Sequence, residues 1–280
     1  MATLVQILEA QLSQFEPSAN NAARRIYIKE VLQAFVLSFL YNHKHYRLLN
    51  FYGGSCLRII NGLNRMSEDI DLDNAQGIDL GNLSTELNQY FKNNLGADLI
   101  TTVQQFSSNK IFRVMLKFPI LYDLQLSQHR DENLHLKLEI SQHPQISIVQ
   151  QTPVIVYGQS FVPNHFSIET LMAGKMLACL ERSFRVGNTE TDFKARDFYD
   201  LLWLMQKEIA PLTEKLKSDG KIAYTPASAL TLLRERVKKI KVEDLKRDLA
   251  PLFENTVFIN AWCETFHQNF ERFSKAYLLH

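Results

Sequence analysis

Asp69, Asp71 and Asp73 alternate with Ile70 and Leu72 in the stretch EDIDLD. Alternation at period two puts the aspartates on one face of a strand and the aliphatic residues on the other, toward a core. Carboxylates lined up on a pleat repel one another and add nothing to a core, so this pattern implies a positive group among them. Asp69 and Asp71 have the reach to bridge a hard cation such as Mg²⁺, which takes a few carboxylates together with phosphate oxygens and water. Two such ions can clamp the attacking and leaving oxygens of an in-line displacement at phosphorus.

That chemistry needs a place for a triphosphate, and Gly53-Gly54-Ser55 offers one a short distance upstream. Glycines let the backbone approach a phosphate, and the N–H groups opening the next helix favour an anion. The serine hydroxyl adds a donor. Each half has an ordinary reading, a plain turn before a helix and a solvated acidic edge. Their succession as strand, glycine turn, helix and acidic strand is what points to nucleotide chemistry.

The elements that must position these residues follow from periodicity. Leu4, Ile7, Leu8, Leu12 and Phe15 mark an amphipathic helix. A second runs from about Asn21 to His43, with Ile28, Val31, Leu32, Phe35, Val36 and Phe39 on a broad apolar face. YRLLNFYGG reads as a buried strand ending at the glycines, and Ser55 as the cap of a short helix reaching about Gly62. A helix is expected over 83–95, then strands at IFRVMLKF, LHLKLEIS and VIVYG. Beyond Pro163, SIETLMAGKMLACLERSF reads as a helix capped by Ser167, and helical patterns continue to the C-terminus, interrupted at KSDGKIAYTPAS. The chain therefore divides into a mixed α/β part with N-terminal helices, 1–162, and a largely helical lobe, 163–280.

Bulk properties exclude several classes. A chain of 280 residues with 46% hydrophobic and 22% charged side chains can bury a sizeable core. A formal net charge of +1 gives no global attraction to nucleic acid or membrane, so an RNA-binding face would be a local patch. Cys56, Cys179 and Cys263 lie far apart with no CxxC spacing, which argues against a disulfide framework or zinc site and for a reducing, cytoplasmic setting. The N-terminus lacks a basic leader, and no apolar run approaches a membrane span.

The stretch GGSCLRIINGLNRMSEDIDLD resembles the glycine–arginine–SEDxD block of the AbiEii/AbiGii nucleotidyltransferase family, bacterial toxin components within the DNA polymerase β-like superfamily. ETLMAGKMLACLERS and KARDFYDLLWL resemble its later motifs, a helical lysine and then an aspartate in an RDxYDL context, so similarity runs in blocks from about Asn50 to Leu204. The implied fold is α+β: a polymerase β-like nucleotidyltransferase domain, a mixed sheet flanked by helices, followed by a helical lobe that completes the active-site cleft. By position, Gly53, Gly54 and Ser55 would hold phosphates, Asp69 and Asp71 would bind metal, Lys175 would lie near the nucleotide's phosphates, and Asp197 would complete the polar site. Arg58 and Arg65 flank the motif, and Arg65 is placed either on a phosphate or in an ion pair with Glu68 or another local acid.

The superfamily also wants a third carboxylate on a neighbouring strand. Glu139 is the candidate, as metal ligand or base, although Lys137 shares its face and can simply pair with it; Asp123 is the substitute. Lys175 falls on a partly apolar helix face, where a cation needs a partner that a triphosphate would supply. Asp200 reads as a helix N-terminal acid stabilised by the dipole. The activity implied is Mg²⁺- or Mn²⁺-dependent transfer of a nucleoside monophosphate from an NTP to a hydroxyl, with the 3′ end of tRNA as acceptor, by the toxin of a toxin–antitoxin or abortive-infection pair with a cognate antitoxin. A protein or small-molecule hydroxyl is the alternative acceptor, and a non-catalytic NTP-sensing module the alternative class. Arg234, Arg236, Lys238, Lys239 and Lys241 form a basic run, either a solvated helix face or a contact for an RNA backbone. The aromatic tail, Phe258, Trp262, Phe266, Phe270 and Phe273, is expected in a core or interface.

Overall fold

Thr3 opens the chain's first helix through a capping box with Gln6, and Asn20 opens the second by accepting the Ala23 N–H. These are α1 (Leu4–Leu12) and α2 (Asn21–Asn42) in a computed structural model that describes residues 2–17, 19–106, 110–182, 184–186, 189–191 and 193–277. Helix α2 is buried along most of its length, with Ile28, Val31, Leu32, Val36, Leu37 and Leu40 fully sequestered. The chain then gives β1 (Asn50–Tyr52), α3 (Gly53–Asn61), β2 (Ile70–Asp73), α4 (Leu83–Leu95), β3 (Ile100–Phe106), β4 (Ile111–Phe118) and β5 (Leu134–Ser141). Four short strands follow: β6 (Val149–Gln151), β7 (Val154–Val156), β8 (Gln159–Phe161) and β9 (Asn164–Phe166).

Seven of these strands form one mixed sheet in the order β3-β4-β5-β2-β1-β9-β6, while β7 and β8 form a separate hairpin. The acidic strand β2 is central, antiparallel to β1 and parallel to β5, and β4 runs antiparallel to β5. Along β4 and β5, buried residues (Phe112, Val114, Leu116; Leu136, Leu138, Ile140) alternate with half-exposed ones such as Arg113, Lys137 and Glu139. One face thus packs as core and the other carries charge. This architecture is the mixed sheet flanked by helices that the sequence implied. It belongs to the first of two compact units, Met1–Pro144 with Val149–His165.

The second unit, Gln145–Ile148 with Phe166–His280, is mainly helical. It contains α5 (Ile168–Glu181), a two-stranded pair β10 (Phe184–Val186) and β11 (Thr189–Thr191), then α6 (Ala195–Gln206), α7 (Thr213–Ser218), α8 (Pro226–Val237), α9 (Val242–Leu249) and α10 (Thr256–Tyr277). Segment Gln145–Ile148 is tied in by Lys215, whose Nζ donates to Gln145 Oε1 at 3.2 Å, the Ile146 carbonyl at 3.1 Å and Asp219 at 2.7 Å. Phe266 and Phe270 of the aromatic tail are core, whereas Phe258 is exposed.

Several expectations are corrected. Ser55 does not cap α3: the helix already begins at Gly53, Tyr52 occupies the cap position without a side-chain bond, and Ser55 lies inside the first turn. YRLLNFY is a 3-10 turn at Tyr46–Leu48 followed by the three-residue β1. Strands β3, β6, β8 and β9 carry no sequence signal, because they are short or polar and most lack the apolar–polar alternation of a half-buried strand. Helix α5 stops at Glu181 and the chain re-enters a strand at Phe184; Ser183, expected in the helix, lies outside the described residues. Among the described residues, no helix is long and apolar enough to cross a membrane.

Candidate active site

Gly53 and Asp71 meet at the start of α3. Gly53 has φ +80°, and a Cβ there would lie 2.2 Å from Asp71 Oδ2, so only glycine allows the carboxylate this approach to the backbone. The β1–β2 register causes it, since Tyr52, the residue before Gly53, pairs directly with Asp71. Gly54 is constrained from the other side, where its Cβ would come within 2.8 Å of Arg65 Nη2 and 3.2 Å of Ser67 Oγ. Arg65 is only 2% exposed and donates through Nη1 to the Met66 carbonyl at 2.9 Å. It braces the glycine turn from within and presents no open face, because the turn and its own loop enclose it.

Ser55 is fully buried, and its hydroxyl has no hydrogen-bond partner among the described residues. The N-terminus of α3 thus has no side-chain cap from Tyr52 and carries, in its first turn, a buried hydroxyl without a partner among the described residues. Leaving such a donor buried without a partner costs about 1–3 kcal/mol, the kind of cost that persists at functional positions.

On β2, Ile70 and Leu72 are buried while Asp71, and Asp69 just before the strand, stay half-exposed. Asp73 is 1% exposed and accepts from Asn50 Nδ2 at 3.1 Å, so it belongs to the strand pair's interior. In the parallel β2–β5 ladder Asp71 pairs with Glu139, and Arg113 of β4 pairs with Glu139 from the other side. Like charges directly opposite are destabilising unless countered. Arg113 counters them by donating through Nε and Nη2 to Glu139, and Lys137 Nζ lies 3.1 Å from Asp69 and 3.3 Å from Glu139. Burial works against the Lys137 ammonium, but Asp69, Glu139 and Asp71 outweigh it and raise its pKa. For Glu139 burial is likewise outweighed, by Lys137 and Arg113, and its carboxyl is held below the usual range.

The donor set fits a hard divalent cation: Asp69 and Asp71 share a face at the glycine turn, and an ammonium already sits as a stand-in cation beside Asp69. Among the described residues no three Asp, Glu, His or Cys side chains converge into a metal-binding group. Glu139, expected as the third carboxylate, is engaged by Arg113 and Lys137. Asp123 lies in an exposed turn after β4, beyond the end of the β4–β5 pair opposite Glu139.

The segment leading into β2 is gripped by α2. Glu30 Oε1 accepts the Ser67 N–H at 3.0 Å, Gln33 Nε2 donates to the Ser67 carbonyl at 2.9 Å, and Arg58 of α3 donates to Glu30 at 3.0 Å. Tyr157 donates to the same carboxylate at 3.3 Å. Burial pushes the Glu30 carboxyl above the ordinary glutamate value despite these donors. Sequence reading missed Glu30; an acid inside the apolar pattern of α2 is the signal that could have found it. Lys29, one residue earlier, meets Glu68 at 3.4 Å.

In the second unit, Lys175 of α5 lies 2.9 Å from Asp197 and 2.7 Å from Asp200, both on α6, and Arg182 adds a 2.7 Å contact to Asp197. The cation expected to await a triphosphate thus has two buried carboxylate partners within its own unit. Asp200 is not a first-turn acid: it is the sixth residue of α6, fully buried against Lys175, so the pairing and not the helix dipole accounts for it. Burial alone would raise the Asp197 carboxyl, but Lys175 and Arg182 hold it far below the usual range. The basic run is largely committed to protein contacts, with Arg234 on Glu271 at 3.0 Å, Arg236 on the Leu180 carbonyl and Lys238 on Glu235 at 2.6 Å.

Solved structures similar to this chain include three nucleotidyltransferase-like or Helicobacter proteins. A candidate nucleotidyltransferase from H. pylori has 23% identity and a TM-score of 0.47, with 86% of this chain and 94% of that one covered. JHP933 from Helicobacter pylori has 21% identity and a TM-score of 0.43, with 89% and 94% covered. An antigenic nucleotidyltransferase-like protein from Paracoccidioides brasiliensis has 20% identity and a TM-score of 0.40, with 80% and 94% covered. No curated protein matches. The family described as nucleotidyl transferase AbiEii toxin, type IV toxin–antitoxin system, matches residues 38–276, extending well past Leu204 into helices where no motif is legible. The chain belongs to the AbiEii family of nucleotidyltransferase toxins.

Proposed function

We propose that this nucleotidyltransferase moves a nucleoside monophosphate from an NTP to a hydroxyl acceptor, the 3′ end of tRNA, with release of pyrophosphate. The observation that supports the reading is the closure of Asp71 onto Gly53 at the uncapped start of α3, with Asp69 on the same face. The backbone at Gly53 and Gly54 and the Ser55 hydroxyl receive the phosphates, while Arg65 packs against Gly54. Asp69 and Asp71 are the residues that would hold a divalent cation, Mg²⁺ or Mn²⁺. The chemistry such a cation supplies when bound is neutralisation of phosphate charge and stabilisation of the leaving pyrophosphate.

For the second unit the proposal is narrower. Lys175, oriented by Asp197 and Asp200, is the cation that the resemblance assigns to the nucleotide's phosphates. The family's toxin–antitoxin setting makes a cognate antitoxin the protein partner and the cytoplasm the place of action.

The test is transfer itself. The protein is incubated with Mg²⁺, each α-phosphate-labelled NTP in turn, and total bacterial RNA plus cell extract, beside Asp69→Asn and Lys175→Met. Label in a tRNA-sized band with wild type, absent with Asp69→Asn, is the expected result. Label on protein alone would replace the acceptor and keep the reaction. Undiminished transfer by Asp69→Asn would falsify the assignment of the acidic strand.

A further inference from the structure

Lys137 lies on β5 just before Leu138, the ladder partner of Ile70, and its Nζ reaches both Asp69 and Glu139, at 3.1 and 3.3 Å. The three side chains are 27%, 26% and 22% exposed, so the group is open enough for an ion to enter from solvent. We propose that Lys137 is the resident counter-ion of the acidic face, a tethered cation that holds Asp69 and Glu139 together until a divalent cation takes Asp69 and displaces it. The inference rests on Asp69 and Asp71 being the metal-binding residues.

The register makes a counter-ion necessary. Asp71 and Glu139 are direct partners in the β2–β5 ladder, and Asp69 continues the same face, so an empty acidic face would repel itself. Arg113 and Lys137 differ in how they are held. Arg113 offers Glu139 two donors of its planar guanidinium from the neighbouring strand, an arrangement suited to staying in place. Lys137 is a single point charge on a flexible stem, with Met115 opposite it on β4, and can swing aside without breaking a fork. An ammonium and a divalent cation cannot share Asp69 at contact distance without strong repulsion. Lys137 therefore favours the metal-free protein and weakens metal binding, and Glu139 keeps Arg113 when the lysine leaves.

Mn²⁺ binding to the full-length protein tests this without reference to turnover, by titration calorimetry and by the electron-spin signal of free Mn²⁺. Lys137→Met, which keeps length and loses charge, is expected to bind Mn²⁺ roughly tenfold more tightly. Its metal-free melting temperature is expected to fall by on the order of 2–4 °C, and saturating Mn²⁺ should restore it. Lys137→Arg should restore the wild-type melting temperature. If the methionine variant does not fold, Lys137→Gln answers the same question. Equal or weaker Mn²⁺ binding in the uncharged variants overturns the counter-ion role while leaving the metal site standing. Mn²⁺ binding unaffected by Asp69→Asn, or absent throughout, overturns the metal site and the inference with it.

Discussion

The Glu30 carboxylate on α2 accepts the backbone N–H of Ser67 at 3.0 Å, two residues before Asp69. The same carboxylate holds Arg58 of the glycine-motif helix, and Gln33, one turn further along α2, takes the Ser67 carbonyl. One helix face thus sets both the helix that begins at Gly53 and the segment that carries Asp69 into β2 and Asp71. Glu30 and Gln33 precede the region of family similarity, which begins at residue 38, so this support comes from outside it.

Glu30→Ala strips the acceptor from Ser67 and leaves Arg58 without its carboxylate. We expect a loss of about 2–4 kcal/mol in urea unfolding, together with reduced nucleotidyl transfer. Glu30→Gln keeps an acceptor for Ser67, and because burial already disfavours the charged form, it should lose well under half as much. Equal losses in the two variants would show that charge, and not the bond to Ser67, matters.

Gly53→Ala meets two obstacles, the positive φ and the Asp71 carboxylate. Gly77 shares only the first: its φ is +64° and nothing lies within 4 Å of the added Cβ. Gly77→Ala should therefore cost about 1 kcal/mol and leave transfer intact. Gly53→Ala should cost more and lower transfer roughly a hundredfold, since a displacement near 1 Å at a reacting group has that effect. Comparing the two variants in the same transfer assay isolates the contact with Asp71.

The Lys175–Asp197–Asp200 group predicts a pH dependence. The folded Asp197 carboxyl titrates below the ordinary aspartate value of 3.8, held there against burial by Lys175 and Arg182. Its stabilisation is thus complete above that value and disappears as the pH falls from it toward the folded pKa. Asp197→Asn should lose about 3–5 kcal/mol at neutral pH and show a shallower decline in stability below pH about 4. Urea midpoints measured from pH 7 downward read both effects.

All three cysteines are buried and free, and burial pushes all their thiols up, that of Cys263 to about 11. Thiolate is the reactive form, so a thiol reagent at pH 8 should react slowly with the native protein and at all 3 cysteines once it is unfolded. Fast reaction at Cys56, next to Ser55 in α3, would show that the glycine-motif helix opens readily in solution.

What was legible locally is what period and turn chemistry encode. Helix α4, strands β4 and β5 and the Ser167 cap of α5 appear where their patterns put them, because each depends on neighbours within one or two turns. The polar face of EDIDLD was legible for the same reason. Short strands such as β6 and β9 were not, since their pairing partners, and not their own composition, make them strands.

By itself the sequence determined that Asp69 and Asp71 share a face behind a glycine turn, and that Lys137 shares one with Glu139, because side-chain direction in a strand alternates whatever surrounds it. Only the tertiary structure decided which partners those charges meet. Parallel pairing of β2 with β5 brings Asp71 beside Glu139, β4 delivers Arg113, and packing of α6 on α5 gives Lys175 its two aspartates. Such pairings join residues far apart in the chain, and Coulomb interactions depend on distance in space, which no local pattern records.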